Sequence, residues 1–182
     1  MESHKEIVDE KLEHLFKHFH EPAGREELLH EPWLYQIWDI NQKFLFLKND
    51  VLIAEPLNSN TGDLITLVPN RCIKQTNEKI FPIFMGSQDE TQTLCCEDSG
   101  SGQPNLKFVK EHIMSLYKEC QECKKFTFYA KSEGSKETCS FESAEFPGWF
   151  LSTSSESSKP VGLSHQGGAD ITLFYFEEKK QL

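Results

Sequence analysis

Short segments of apolar or alternating residues follow one another through residues 35 to 178, and they constrain the fold of this chain more than any other feature. They recur every 8 to 15 residues. Segments of this length and spacing predict an all-β barrel or sandwich, and their periodicity does not choose between the two. The predicted turns between them include Asn49-Asp50, Asn60-Thr61-Gly62, Gly100-Ser101-Gly102 and Gly167-Gly168. The twelve predicted strands are Tyr35–Asp39, Lys43–Leu47, Val51–Ala54, Leu64–Val68, Pro82–Met85, Thr93–Cys96, Asn105–Val109, Phe126–Ala130, Cys139–Ser143, Trp149–Thr153, Val161–Ser164 and Ile171–Phe176.

The same residues divide into three units of about 48 residues with four predicted strands each, which is the repeat length that a threefold barrel requires. No convincing sequence motif repeats across the three units. The large apolar residues of the strands are expected to fill the interior at close-packed density, where truncation is costly. These expected interior residues are Leu45, Leu47, Leu52, Ile65, Leu67, Phe84, Leu94, Leu106, Phe128, Phe141, Phe150, Leu163 and Phe174.

Two stretches carry a helical pattern instead. Residues 1 to 21 predict a short amphipathic helix that ends before the linker from Pro22 to Pro32. This helix is equally consistent with a docked terminal helix and with a removable leader, so we divide the chain into a leader of residues 1–30 and a domain of residues 31–182. The apolar face of the first helix consists of Val8, Leu12, Leu15, Phe16 and Phe19. The second predicted helix is Lys110–Lys118, and its residues Ile113, Leu116 and Tyr117 are expected to face the interior.

Composition limits the partners and the compartment. The 182 residues carry a net charge of -10, which argues against nucleic acid and anionic membrane surfaces, because both require basic patches. The N-terminus lacks the apolar core of a secretory signal, no segment is long enough to span a membrane, and no Asn-x-Ser/Thr sequon is present. We therefore expect synthesis in the cytosol, no membrane insertion, and the six cysteines as free thiols.

Motifs for catalysis and metal binding are weak. The chain has no Gly-x-Ser-x-Gly, no His-Glu-x-x-His and no phosphate-binding loop, so an enzyme is not predicted. Cys120 and Cys123 have the spacing of half a zinc site, but a closed site needs two more ligands. The adjacent Cys95 and Cys96 point to opposite faces of a strand and do not both reach one metal. We predict no metal and no cofactor.

The densest set of geometry-setting residues lies between Phe141 and Val161. Two strand patterns flank residues 145–148, where Pro147 fixes φ and Gly148 tolerates a positive φ, so a turn is predicted. The chain resembles the interleukin-1 family through nine residues that stand at the spacing of the family signature: Phe141, Ser143, Ala144, Pro147, Phe150, Leu151, Ser152, Thr153 and Val161. The resemblance implies that the fold is a β-trefoil of twelve strands with pseudo-threefold symmetry.

This resemblance covers about residues 34 to 178. Residues 37–43 look like the opening strand of the interleukin-1 receptor antagonist. Similarity to the interleukin-36 and interleukin-38 group, especially its receptor antagonist, is found at residues 68–71, 105–107, 113–117 and 126–129. The resemblance implies a monomeric extracellular cytokine that binds an interleukin-1-class receptor and leaves the cell without a signal peptide.

The same resemblance assigns candidate contact residues. In the receptor antagonist, the positions matching Trp38, Gln42 and Tyr175 lie on the surface that meets the primary receptor. Leu173 stands where family agonists commonly carry Asp and the interleukin-1 receptor antagonist carries Lys, so it lacks the charge for a polar contact with the accessory receptor. We therefore expect an antagonist that occupies the primary receptor without recruiting the accessory chain.

Two other functions stay open at this point. An agonist of the interleukin-36 type, which promotes inflammatory signalling, would differ in its accessory-receptor face alone. Gln36-Ile37-Trp38 matches the Gln-x-Trp motif that sugar-binding trefoils repeat in each third of the barrel, but the motif occurs once here. A lectin-like or intracellular interaction module is therefore the alternative outside the cytokine class.

Overall fold

The computed structural model describes residues 7–19, 32–56, 63–75, 77–119 and 122–179. Within these ranges the chain forms thirteen β-strands, two α-helices and one 3-10 turn at Lys124–Phe126. The helices are α1 (Val8–His18) and α2 (Ile113–Glu119). The strands are β1 (Trp33–Asp39), β2 (Lys43–Lys48), β3 (Val51–Pro56), β4 (Ile65–Pro69), β5 (Phe81–Gly86), β6 (Thr93–Asp98), β7 (Pro104–Val109), β8 (Thr127–Glu133), β9 (Ser135–Ser143), β10 (Phe150–Ser152), β11 (Lys159–Pro160), β12 (Gly162–Ser164) and β13 (Phe174–Lys179).

Six of these strands close into a barrel. Antiparallel pairs join them in the cyclic order β1, β4, β5, β8, β9, β13 and back to β1. Closure leaves none of the six as a sheet edge, so their backbone groups are paired on both sides. The sequence left a barrel and a sandwich open, and the structure is a barrel.

Three hairpins extend the barrel and give it threefold organisation. The hairpin β2–β3 continues from β1, β6–β7 from β5, and β10–β12 from β9. Each third therefore contains two barrel strands and one hairpin, which confirms the prediction of four strands per unit and the β-trefoil that the resemblance implied. Positive φ angles confirm the predicted turns at Asn49 and Asp50 (51° and 66°), Gly100 and Gly102 (88° each) and Gly167 (88°). The predicted turn at residues 60–62 lies outside the described residues.

Strand β11 was not predicted. Its two residues pair with β3 at Ala54 and Ile53, while the sequence pattern indicated a surface loop through Lys159. The pairing rests on backbone hydrogen bonds, from the Ser158 amide to the Ala54 carbonyl and from the Val161 amide to the Leu52 carbonyl, each 2.8 Å. Both side chains of β11 are exposed, so no apolar pattern marks the strand.

The predicted interior is correct for ten residues and wrong for three. Leu47, Leu106 and Leu163 are half-buried and lie in the hairpin strands β2, β7 and β12. Leu106 and Leu163 still pack against the core cluster. The confirmed interior residues are Leu45, Leu52, Ile65, Leu67, Phe84, Leu94, Phe128, Phe141, Phe150 and Phe174.

Both predicted helices form, with differences at their ends. In α1, Asp9 and Glu10 lie in the first turn and Lys17 in the last, which complements the helix dipole. α2 begins at Ile113, three residues later than predicted. The Ile113 amide donates a hydrogen bond to the Glu90 carbonyl. Neither helix among the described residues is long and apolar enough to cross a lipid bilayer.

The prediction that all six cysteines are free thiols is wrong. Cys72 is disulfide-bonded. Free thiols are found at Cys95, Cys96, Cys123 and Cys139, whereas residue 120 lies outside the described residues. Desolvation by burial raises the pKa of the Cys95 thiol to about 11 and that of Cys96 to about 12. Sequence spacing did not identify the disulfide, because the pairing depends on which residues the fold brings together.

Candidate functional site

Three aromatic side chains from adjacent strands form a continuous outer surface, which we call the aromatic ladder (Trp38, Phe44 and Tyr175). Trp38 of β1 lies opposite Phe44 of β2 on one side and Tyr175 of β13 on the other. Its ring stacks on both neighbours, with centroid distances of 5.2 Å to Phe44 and 5.7 Å to Tyr175 and interplanar angles of 23° and 22°. All three are half-buried, because strand alternation turns them outward and their neighbours Ile37 and Phe176 into the core.

Next to the ladder, the turn between β1 and β2 presents two exposed side chains. Gln42 is exposed and has a φ of 67°, and its amide donates to the Asp39 carbonyl at 2.9 Å. Ile40 is 42% exposed, which makes it one of two large hydrophobic residues exposed in the described part of the chain. A left-handed conformation at a residue other than glycine persists where the surroundings fix it. The turn therefore has a fixed backbone conformation.

The group that fixes this turn is the buried carboxylate of Asp39. One oxygen accepts from the amides of Asn41 (2.8 Å) and Lys43 (2.9 Å). The other accepts from the Thr153 hydroxyl (2.5 Å) and pairs with the Lys43 ammonium at 2.9 Å. Asp39 has no exposed surface and Lys43 is 4% exposed, so this is a buried ion pair with its acceptor sites filled.

Backbone hydrogen bonds tie the segment before β13 to the same turn. The Ile40 amide donates to the Leu173 carbonyl at 3.2 Å, and Thr153 and Ile171 exchange two hydrogen bonds of 2.9 and 2.8 Å. The side chain of Leu173 is half-buried and approaches Gly134 in the β8–β9 turn, where an added Cβ would lie 2.9 Å from Leu173 Cδ1. The turn, Thr153 and Leu173 thus form one connected unit beside the ladder.

Sequence reasoning named four surface residues, and the structure brings them into this one region. Trp38 and Tyr175 are in direct ring contact, and Gln42 and Leu173 flank them. Phe44 was missed as a surface residue, because alternation in β2 alone does not reveal which face turns outward. Asp39 and Lys43 were missed as an ion pair. Residues two positions apart in a strand face the same side, so the position of Asp39 relative to the apolar Ile37 already indicated a buried carboxylate that needs a partner.

The family-signature residues lie mostly in the core of the third barrel unit. Gly148 has a φ of 90° and its amide donates to Glu142 Oε2 at 2.7 Å, while the Ser143 hydroxyl accepts from the Phe146 amide at 3.0 Å. These contacts confirm the predicted turn around Pro147, which is exposed. The buried signature residues are Phe141, Ser143, Ala144, Phe150, Leu151, Ser152, Thr153 and Val161. Of this signature set, Thr153 is the residue that bonds to the ladder region, through Asp39.

Three cavities formed by the described residues share no lining residue with the ladder. One of them has a volume of about 530 Å³, and Asp63, Asp89 and Phe108 are among its walls. Hydrogen bonds from Ser87 and Thr91 lower the pKa of Asp89. Within the described ranges, no three His, Cys, Asp or Glu side chains cluster as metal ligands. The ladder region is therefore suited to contact with another macromolecule rather than to holding a small ligand.

Comparison with known proteins gives this region its context. The family profile described as Interleukin-1 / 18 matches residues 65–176. Human interleukin-36 receptor antagonist protein is 39% identical over 153 residues, covering 79% of this chain and 94% of the relative. The chain belongs to the interleukin-1 family.

Other members of the interleukin-1 family are nearly as similar. Human interleukin-1 receptor antagonist protein is 34% identical over 164 residues (86% of this chain and 84% of the relative), and mouse interleukin-36 beta is 35% identical over 152 residues (82% and 81%). The solution structure of the pro-inflammatory cytokine interleukin-36alpha superimposes with a TM-score of 0.63 at 30% identity, covering 81% of this chain and 96% of that one. Members of this family are extracellular signalling proteins that bind interleukin-1-class receptors and are not enzymes, so this β-trefoil is a cytokine of that kind.

Proposed function

We propose that this cytokine is a receptor antagonist, which binds the primary receptor through the aromatic ladder and Gln42 and does not recruit the accessory chain. The ladder supplies a rigid, half-exposed aromatic surface, and aromatic residues of this kind dominate the energetics of protein interfaces. The buried Asp39–Lys43 pair holds the adjoining turn, so little conformational freedom is lost when a partner binds.

The observation that carries the antagonist assignment is the environment of Leu173. Its side chain is apolar and half-buried next to Gly134, so it presents no charge where a family agonist commonly carries Asp. An uncharged group at that position forgoes any electrostatic contact with an accessory receptor. The antagonist relatives support this assignment, and the similarity to interleukin-36 beta supports an agonist as the second candidate.

Under this proposal the protein acts as a monomer outside the cell, and the cytosolic precursor is released without a signal peptide. The chain is cut after its leader, residues 1–30, at a bond between Leu28 and Tyr35. The receptor's intracellular domains are not brought together, because the second receptor chain has no complete surface to bind.

Binding and signalling measurements separate the candidates. Immobilised ectodomains of interleukin-1-class primary receptors are titrated with the full chain and with a chain starting near His30, first alone and then with the accessory ectodomain added. We expect binding without ternary assembly, and competition against an agonist in reporter cells. Trp38→Ala and Tyr175→Ala should each weaken binding about 30-fold or more, as for residues at the centre of an interface. The matched control is Val51→Ala, which removes an exposed apolar residue at the far end of the β2–β3 hairpin.

Two results would contradict these assignments. Dose-dependent activation by the isolated protein would identify an agonist. Unchanged affinity in both ladder variants would remove the ladder from the contact surface while leaving the family assignment intact.

A further inference from the structure

Helix α1 covers one part of the barrel with an apolar stripe. Val8, Leu12, Leu15 and Phe19 are at most 2% exposed and belong to the same core cluster as the barrel residues. Their spacing places them on one face of the helix, which packs against β4, β8 and β9, while residues such as Glu13 face solvent. The helix therefore occupies an apolar site that the barrel forms, which we call the seat of α1.

Polar contacts fix the position of α1 along its axis. The Lys11 ammonium donates to the Phe176 carbonyl at 2.6 Å and lies 4.7 Å from the centroid of the Phe176 ring. Near the helix C-terminus, the Tyr117 hydroxyl donates to the Phe19 carbonyl at 3.2 Å. Carbonyl groups at a helix C-terminus lack partners within the helix, so this donor from α2 satisfies a group that the helix itself leaves open.

Two aromatic side chains of α1 also make ring contacts with the barrel. Phe16 meets the edge of Phe81 at a centroid distance of 5.4 Å, and its carbonyl accepts from the Arg71 guanidinium at 3.5 Å. His18 stacks on Trp33 with a centroid distance of 4.0 Å. The contacts come from several strands and from α2, so recognition of the helix is distributed over the folded barrel.

None of these contacts involves the aromatic ladder. Phe176 faces the helix, whereas the preceding residue, Tyr175, faces outward. Trp33, at the start of β1, is five positions from Trp38, which lies near the end of the strand. The seat of α1 and the ladder are thus separate surfaces on the same strands.

We propose that this seat is a helix-binding site that holds α1 in trans, so that a chain cut between residues 20 and 31 persists as a one-to-one complex of the helix and the trefoil. The occupant is recognised by an apolar stripe with the spacing of Val8, Leu12, Leu15 and Phe19 and by a lysine that reaches the Phe176 carbonyl. The helix acts as a stabilising subunit of the processed protein rather than as a cover over the ladder. This inference does not depend on whether the cytokine is an antagonist.

The test uses the full chain with a specific protease site inserted between residues 20 and 31. After complete cleavage, size-exclusion chromatography and mass spectrometry at about 1 µM determine whether the fragment carrying α1 co-elutes with the trefoil. We expect co-elution at a one-to-one ratio. Leu12→Asp should weaken retention at least about 30-fold, because it places a charge at a fully buried position. Glu13→Lys, at the neighbouring exposed position, should not change retention.

Folding is monitored separately by the near-ultraviolet circular dichroism of the trefoil, before cleavage in every variant. Lys11→Met keeps the apolar stripe and removes the ammonium that contacts the carbonyl and the ring of Phe176, so it should weaken retention in a protein that remains folded. Separation of the wild-type fragment from a folded trefoil would overturn the proposal. Equal release by Glu13→Lys and Leu12→Asp, or elution of the cut protein as a helix-exchanged dimer, would overturn it as well.

Discussion

Replacing Asp39 by alanine is expected to lower the free energy of unfolding by about 3–5 kcal/mol, the cost of leaving one partner of a buried ion pair uncompensated. Lys43 is 4% exposed and loses its counter-charge in this variant. The amides of Asn41 and Lys43 and the hydroxyl of Thr153 lose their acceptor at the same time. The variant therefore combines an unpaired charge with unsatisfied donors, which places it among the most destabilising substitutions available outside the apolar core.

The companion variant Lys43→Met should cost less, about 1–3 kcal/mol, because the carboxylate keeps three hydrogen-bond donors. In the double variant Asp39→Ala/Lys43→Met, no buried ammonium remains. Its loss should be smaller than the sum of the two single losses by at least about 1 kcal/mol, which measures the coupling between the two side chains. Asp98→Ala removes an exposed carboxylate that accepts from the Gly100 amide, and it should change stability by less than about 0.5 kcal/mol.

Urea denaturation followed by tryptophan fluorescence measures all four variants, and the midpoint of thermal unfolding provides a second reading. For a chain of this length, a loss of 3–5 kcal/mol corresponds to a fall in Tm of about 6–20 °C. The reasoning fails if Asp39→Ala costs less than about 1 kcal/mol, since the pair would then not be buried in the folded state. Strict additivity in the double variant would also refute it.

Three other predictions test separate parts of the structure. Leu173→Asp introduces the charge that family agonists commonly carry, and it should increase accessory-receptor recruitment in the ternary binding assay while leaving primary binding within about threefold; no change in recruitment would remove Leu173 from the signalling surface. Gly134→Ala should cost about 1–2 kcal/mol in urea denaturation, because φ is 81° and the new Cβ meets Leu173, and stability within 0.5 kcal/mol of the wild type would contradict this. At pH 8, iodoacetamide should react slowly with Cys95 and Cys96, whose raised pKa values of about 11 and 12 keep them as neutral thiols, and rapidly once the chain is unfolded in urea; fast modification of the folded protein, quantified by peptide mass spectrometry, would show that the burial is wrong.

Local chemistry predicted most of the elements of this fold from the sequence. Positive φ at Asn49, Asp50 and Gly148 follows from residues that tolerate it, and these turns set the ends of the neighbouring strands. Strand β11 was not predictable, because its pairing depends on the edge of β3 rather than on its own exposed side chains. Closure into a barrel is equally non-local, since it requires β1 to meet both β4 and β13.

The candidate site was predictable in part for a related reason. Resemblance to relatives supplied Trp38 and Tyr175, but only the register of β1 against its two neighbours shows that Phe44 completes the aromatic surface. The role of Asp39 emerges only when Thr153, 114 residues away in the chain, is seen to donate to it. Side chains that act through long-range contacts leave little trace in local sequence patterns.

Strand alternation explains how one strand serves two surfaces. In β13, Tyr175 stacks on Trp38 on the outside, and Phe176 lies beneath the Lys11 ammonium of α1 on the inside. Because successive side chains of a strand point to opposite faces, α1 occupies its seat without covering the ladder. The two surfaces remain coupled through the backbone of β13, since the carbonyl that accepts from Lys11 belongs to the residue next to Tyr175. Any effect of α1 on receptor contact must therefore act through the position of β13, not through direct coverage of the aromatic ladder.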